Sequence, residues 1–246
     1  MKRIGIVGRG NVGTHLERAL GSKGWEVTSV NSRNLEGMKG DEDVLIISVS
    51  DDALSRVCGR IKETFPGFKG IVAHTAGSVD AAVLSPYFAS YGVFYPLQAF
   101  SKKDSSIDFS LIPIFVESPD EEVLNTLEKL ADSLTTEVYV LSSADRKRLH
   151  IASVFACNFS NALYSIANDL LKESNLPFTV LLPLIRQTVR KLDTLSPAQA
   201  QTGPAVRGDK KIISNHLEAL SAESMEKEIY ELISNYIMKK NEQNRI

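Results

Sequence analysis

The stretch "RIGIVGRGNVGTHLERAL", residues 3–20, constrains the fold more than any other part of the chain. Its β-branched start reads as a strand and its end as a helix, with Gly8, Gly10 and Gly13 in the turn between them. In a G-x-G-x-x-G turn the first glycine permits the tight reversal and the second lets a ligand approach the backbone. The third lets helix and strand pack closely. The helix then opens with free N–H groups and the positive end of its dipole, a natural seat for a pyrophosphate. Glycines punctuate turns everywhere, so the pattern alone is weak. A second strand, "WEVTSV", arriving within βαβ length makes it a dinucleotide-binding turn, with Arg9, Asn11 and Val12 as further expected contacts.

That arrangement is the Rossmann unit, and it says where specificity should be read. About 20 residues beyond the glycines, NAD sites place an Asp or Glu on the ribose hydroxyls. Here the second strand ends in "NSRN", Asn31–Asn34, which contains no acid. Asn31 and Ser32 can hydrogen-bond an oxygen, and Arg33 can pair with a phosphate. The expectation is NADP(H) over NAD(H), against the bland reading of Arg33 as a solvated loop residue. Loops at the carboxyl ends of later strands should face the same crevice. "SVSDDA" brings Val49 and Ser50 there, and Ser50 also reads as the cap of the next helix. "HTAGS" places His74, Thr75, Ala76 and Gly77 by the expected nicotinamide, with His74 equally readable as structural or catalytic.

Composition excludes several classes. A net charge of −2 gives no electrostatic case for nucleic acid or an anionic membrane. No apolar run approaches bilayer length, and "MKRIGIVG" lacks signal-peptide architecture, so a cytoplasmic protein is expected. Cys58 and Cys157 have no metal-type spacing and read as small buried hydrophobes; no metal site is expected.

Strands and helices alternate through residues 1–141, which predicts a mainly parallel sheet covered on both faces. Residues 142–246 show only helical periodicity. The expected organisation is an α/β nucleotide-binding domain followed by an all-helical domain for substrate and dimerisation. "SSADRKRLHIASVFACNFSNALYSIANDLLKES" reads as one long helix capped by Ser142 or Ser143. Pro183 is expected to kink a second, "SPAQAQTGPAVRGD" to be loop, and Asp209 to cap the next. A last helix is expected from about Ala222 to Met238, ending in a frayed tail. On the long helix His150, Val154, Cys157 and Asn161 fall on one face at helical spacing, with Asn158 beside them. Such an imidazole and amides could orient a carbonyl or imine and deliver a proton, or could form a satisfied network at an interface. Arg207 is the residue of "TGPAVRGD" that turn chemistry does not explain. It could bind a substrate anion or pair with a carboxylate across a subunit interface.

With these motifs in place, the chain resembles the 6-phosphogluconate dehydrogenase superfamily, which includes pyrroline-5-carboxylate reductases. More closely, "HTAGS", "YPLQAF", "LHIASVFACNF" and "TGPAVRGD" resemble a bacterial family of Rossmann-like proteins with a helical C-terminal domain of unknown function. Its members are often labelled NADP oxidoreductases, coenzyme F420-dependent-like. The resemblance implies cofactor contacts at Gly8, Gly10, Gly13, Ser32 and Arg33, and a cleft lined by His74, Tyr95, His150, Asn158 and Arg207. It also implies a homodimer through the helical domain. A histidine is expected before the proline of "YPLQAF", where this chain has Tyr95, and the long helix has no lysine matching that of the hydroxyacid dehydrogenases. The leading expectation is an NADP(H)-dependent oxidoreductase for a small carbonyl or imine, with His150, Asn158 and Arg207 at the substrate. An F420-type NADP oxidoreductase and a non-catalytic NADP(H)-binding sensor or assembly protein are the alternatives.

Overall fold

The computed structural model describes residues 3–104 and 106–243. Strands β1 (Arg3–Val7), β2 (Glu26–Val30), β3 (Val44–Ile47), β4 (Ile71–His74), β5 (Tyr91–Pro96), β6 (Ile114–Glu117) and β7 (Val138–Val140) form one sheet in the order β2-β1-β3-β4-β5-β6-β7. All neighbouring pairs are parallel except β5 with β6, which are antiparallel. Three crossover helices cover the faces: α1 (Asn11–Ser22), α2 (Leu54–Thr64) and α3 (Glu121–Asp132).

The period-2 alternation of strand side chains explains the layers. Ile4, Ile6, Val44 and Ile46 point into a core closed by Leu16 and Leu20 of α1 and Leu127 and Leu130 of α3. Val7, Leu45 and Ile47 point the other way, against Leu54, Val57, Cys58 and Ile61 of α2. Both faces of β3 are therefore buried, which is why "VLII" is a continuous apolar run and does not alternate with polar residues. A mainly parallel sheet of Rossmann type followed by helices is the observed fold. No helix among the described residues is long and apolar enough to cross a membrane.

The chain divides into two compact units, Met1–Asn158 and Phe159–Ile246. That division falls some way into the helical region and not at residue 142. Its reason lies in α4 (Ser143–Ser153), whose Arg146 is 1% exposed and ion-paired to Glu117 of β6. The same guanidinium donates to the Val79 carbonyl, and Ser143 N and Oγ donate to the Glu117 carboxylate at 3.0 and 2.8 Å. The first turns of the helix thus belong to the sheet.

The long helix is broken by a π segment, Val154–Phe159, before α5 (Ser160–Glu173). A π turn inserts an extra residue, so the α-helical face expected to hold His150, Val154, Cys157 and Asn161 does not carry through it. Cys157 is exposed on this segment, not buried; Cys58 is buried, and that burial pushes its thiol pKa up to about 12. Ser142 caps α4 as expected, accepting from Asp145 N.

In the second unit Pro183 lies in the first turn of α6 (Leu182–Arg190), after a 3-10 turn Phe178–Leu181. A proline is tolerated there because the first-turn N–H groups have no partner to lose, so it starts a helix and kinks none. "SPAQAQTGPAVRGD" is not all loop: it holds α7 (Pro197–Ala200), opened by a Ser196–Gln199 capping box, and α8 (Pro204–Arg207). Asp209 caps α9 (Lys210–Ala219), accepting from Ile212 N, and Gly208 takes the left-handed backbone, φ +69°, that ends α8. The last helix, α10 (Met225–Gln243), starts later than expected and continues through most of the polar tail.

Candidate functional site

The glycine turn does what its spacing requires. Gly8 has φ +119°, and a Cβ there would stand 2.0 Å from the Ser48 carbonyl oxygen. A Cβ on Gly13 would stand 2.0 Å from the Gly8 carbonyl oxygen, so the first turn of α1 can approach the turn after β1 this closely only with glycine there. Gly10 is different: nothing lies within 4 Å of where its Cβ would be, and it is the N-cap of α1 with no side chain capping the helix. Two glycines are demanded by the protein's own packing, whereas the third keeps open space in front of uncapped N–H groups. That is the geometry of an anion seat.

The open space is a cleft of about 740 Å³ lined by Gly8, Arg9, Gly10, Asn31, Ser32, Arg33, Ser48, Val49, Ser50, Ala53 and by Arg56, Val57 and Arg60 of α2. Four arginines and no carboxylate line it. Two of them shape the walls: Arg9 Nη2 donates to the Ser29 carbonyl at 2.6 Å, and Arg60 Nη1 to the Ser32 carbonyl. Asn31 Oδ1 accepts from Arg33 N at 2.9 Å, which turns the loop and leaves the Arg33 side chain exposed. Among the described residues the Arg33 and Arg56 guanidiniums have no hydrogen-bond or ion-pair partner. Ser50 occupies the backbone cap position before the 3-10 turn Asp51–Ala53, but its side chain makes no capping bond, contrary to expectation. Ser50 is among the residues that line the cleft. Arg56 and Arg60 escape a reading of the sequence because at helical spacing they pass for the solvated face of α2. The only signal was their position one and two turns past a strand end.

The loop after β4 is shaped by His74, which is fully buried; its Nδ1 accepts from Ala76 N at 3.1 Å. Burial pulls its pKa down to about 4, the Arg146 guanidinium adds to this, and the Asp80 backbone and carboxylate oppose it. Enclosed in this way the imidazole is held uncharged near neutral pH, and its bond to Ala76 N shapes the Thr75–Gly77 loop. That loop packs on a pair of side chains from distant parts of the sequence. Tyr95, at the end of β5, has its hydroxyl 3.0 Å from Nδ1 of His150 on α4. A Cβ on Gly77 would lie 2.5 Å from that Nδ1 and 3.0 Å from Tyr95 Cζ. Burial raises the Tyr95 pKa. Gly77, Tyr95 and His150 are thus brought together, with Arg146 buried behind them.

Asn11 and Val12 lie in the first turn of α1. Asn158 is exposed on the π segment. Arg207 ends α8 in the second unit, exposed and without a hydrogen-bond or ion-pair partner among the described residues.

A candidate NADP oxidoreductase from Bacteroides fragilis superposes with a TM-score of 0.89 at 37% identity, over 97% of this chain and 98% of that one. A Thermotoga maritima protein superposes at 0.74 with 18% identity, over 99% and 100%. Plasmodium falciparum pyrroline carboxylate reductase with NADP bound superposes at 0.60 with 10% identity, over 98% and 97%, a likeness of fold alone. No protein of curated function matches the sequence. Residues 112–237 match the family model described as domain of unknown function DUF2520. With half the chain under that model and a full-length relative above 30% identity, the chain belongs to the DUF2520 family of Rossmann-like proteins with a helical C-terminal part.

Proposed function

We propose that the chain is an oxidoreductase that uses NADP(H) to reduce a small carbonyl or imine substrate. The observation that carries this reading is the arginine-lined, acid-free cleft over the uncapped glycine turn. The Bacteroides fragilis relative named as an NADP oxidoreductase supports it.

Bound in this cleft, the nicotinamide cofactor would supply the hydride. The Gly8–Gly13 turn and the α1 N-terminus would hold the pyrophosphate. Ser32 and Arg33, joined by Arg56 and Arg60, would hold the ribose 2′-phosphate through charge-assisted hydrogen bonds. Val49 and Ser50 would border the cofactor between them, and Thr75, Ala76 and Gly77 would line the nicotinamide end. His150 would give the proton that balances the hydride, and Asn158 would orient the substrate.

The helical unit would build a homodimer. Neither α5 nor α6 has a single buried residue, while Val180, Leu184, Val189, Leu232 and Tyr236 are 48–71% exposed. Apolar stripes of this extent are what a partner surface would offer.

NADPH oxidation, followed by absorbance against a panel of keto acids, cyclic imines and F420, tests the reading. Turnover with a carbonyl or imine that falls at least about tenfold in His150→Ala supports it. Tight NADPH binding with no turnover, and no effect of His150→Ala on cellular function, would replace it with a sensor or assembly role.

A further inference from the structure

Tyr95 is one of the most enclosed polar side chains near the Thr75–Gly77 loop, 9% exposed, its ring held by Ala81 and Val93 and facing Phe115 at 6.3 Å. Its hydroxyl lies 3.0 Å from Nδ1 of His150, and the Ser153 hydroxyl is its other polar neighbour. The two rings meet edge-on at 65°. Gly77 closes the remaining side so tightly that no side chain fits there. The imidazole is half-buried, its other nitrogen, Nε2, has no hydrogen-bond partner among the described residues, and its backbone carbonyl accepts from Ser153 Oγ at 2.7 Å.

We propose that Tyr95 is a positioning residue whose hydroxyl occupies Nδ1 of His150 and leaves Nε2 as the ring nitrogen that exchanges a proton with the substrate. Only the identity of what meets Nε2 rests on the reductase reading above. A phenol has one hydrogen to give and two lone pairs to offer. When His150 is neutral, the O–H donates to Nδ1 and the ring hydrogen stays on Nε2. When His150 is an imidazolium, the phenol oxygen accepts from Nδ1–H. Nδ1 is engaged in both states, and the hydrogen bond at one nitrogen decides the chemistry of the other.

The phenol keeps its own proton throughout. Burial raises its pKa and outweighs the Ser153 hydroxyl and the Arg146 guanidinium, which lower it; the Asp51 charge adds to the rise. Tyr95 therefore orients the ring without adding the negative charge that a carboxylate would place there. As the substrate carbon is reduced, its oxygen or nitrogen takes the proton from Nε2 of the imidazolium. The neutral imidazole first formed keeps its hydrogen on Nδ1, held by the Tyr95 oxygen. Solvent returns a proton to Nε2, and the resting neutral ring is the Nε2–H form in which the phenol donates to Nδ1.

The chain has four histidines, so long-range proton–nitrogen NMR on histidine-labelled full-length protein resolves each ring. Loss of one set of signals in His150→Gln identifies His150. The neutral wild-type ring is expected in the Nε2–H form, and Tyr95→Phe is expected to turn that single form into a mixture of the two tautomers. Gly77→Ala, whose Cβ would strike Nδ1, is expected to do the same by pushing the ring off the phenol. A wild-type ring in the Nδ1–H form, or a tautomer unchanged in Tyr95→Phe, would overturn the proposal, and the wild-type spectrum decides the first point without any variant. The spectra need no cofactor. NADPH titrated into the same wild-type sample tests the reductase reading separately, so either can fail while the other stands.

Discussion

Strand β3 and helix α6 both look apolar on paper, "VLII" against "LPLIRQTV". All four residues of the strand are buried, and not one residue of the helix is. The sheet unit closes its cores on both faces within the chain, with Leu16, Leu45, Ile46, Ile61 and Leu127 at 0% exposure. The helical unit buries only Ala205, Ile213 and Ser234 among its described residues. A sheet finds its cover in its own crossover helices, so its stability is internal. Helices such as α5 and α6, which leave an apolar stripe bare, would gain theirs from a second copy covering the stripe. Mutations in the two units should therefore read differently: fixed unfolding free energies in the first, concentration-dependent ones in the second.

The largest effect is expected at Arg146. Arg146→Met leaves Glu117 without its cation and should cost about 3–5 kcal/mol of unfolding free energy, measured by denaturant titration. The loss should be the same at every protein concentration. A loss below about 1 kcal/mol would mean that the sheet unit is not tied to α4 as described.

Acid should weaken the sheet unit through His74. Its pKa falls from an ordinary 6.5 to about 4 in the folded protein. As pH drops below 6.5 the unfolded chain binds a proton that the native chain refuses, so stability is lost between about 6.5 and 4 and levels off below. At about 1.4 kcal/mol per pH unit the full loss is of order 3 kcal/mol. In His74→Asn the difference in stability between pH 7 and pH 4.5 should shrink by most of that amount. An unchanged difference would show that the ring is protonated in the folded state.

The helical unit is sharpened by Leu184→Glu. If α6 meets a second copy, this change should raise the dimer dissociation constant at least about tenfold, by the worth of one buried leucine. Sedimentation velocity reads it directly. A wild-type chain that sediments as a monomer at micromolar concentration would break the contrast between the units.

The smallest expected effect is at Gly10. Gly10→Ala has room for its Cβ and normal backbone angles, so stability should change by less than about 1 kcal/mol, within the ordinary range for glycine replacement. Gly13→Ala meets the Gly8 carbonyl and should cost several times more. NADPH affinity should nonetheless fall in both, because the Gly10 methyl would stand where the pyrophosphate belongs.

What the sequence discloses follows from how local the cause is. The glycine turn, the caps at Ser142 and Asp209 and the strand runs depend on neighbours a few residues away, and their residue types carry the signal. Arg146 sits in "ADRKRLH" and looks like one more solvated cation. Its burial depends on Glu117, which only the folded sheet brings close. Tyr95 and His150 are 55 positions apart; the family resemblance puts both in one cleft, but no local pattern in either segment foretells the bond between them. The π segment is invisible to a 3.6-residue period, so the expected polar face and the burial of Cys157 failed together. Arg56 and Arg60 share the fate of Arg146: a cation on a helix face is unremarkable until a strand end and a glycine turn are found opposite.

If the cleft is built for a phosphorylated dinucleotide, paired titrations of NADPH and NADH, read by nicotinamide fluorescence at one fixed salt concentration, will show it most directly. Charge-assisted bonds to the 2′-phosphate predict a preference for NADPH of about ten- to a hundredfold. Arg33→Ala and Arg60→Ala should each bring that ratio toward one, leaving NADH binding nearly unchanged. Equal affinities in the wild type, or a ratio that neither substitution moves, would contradict the account.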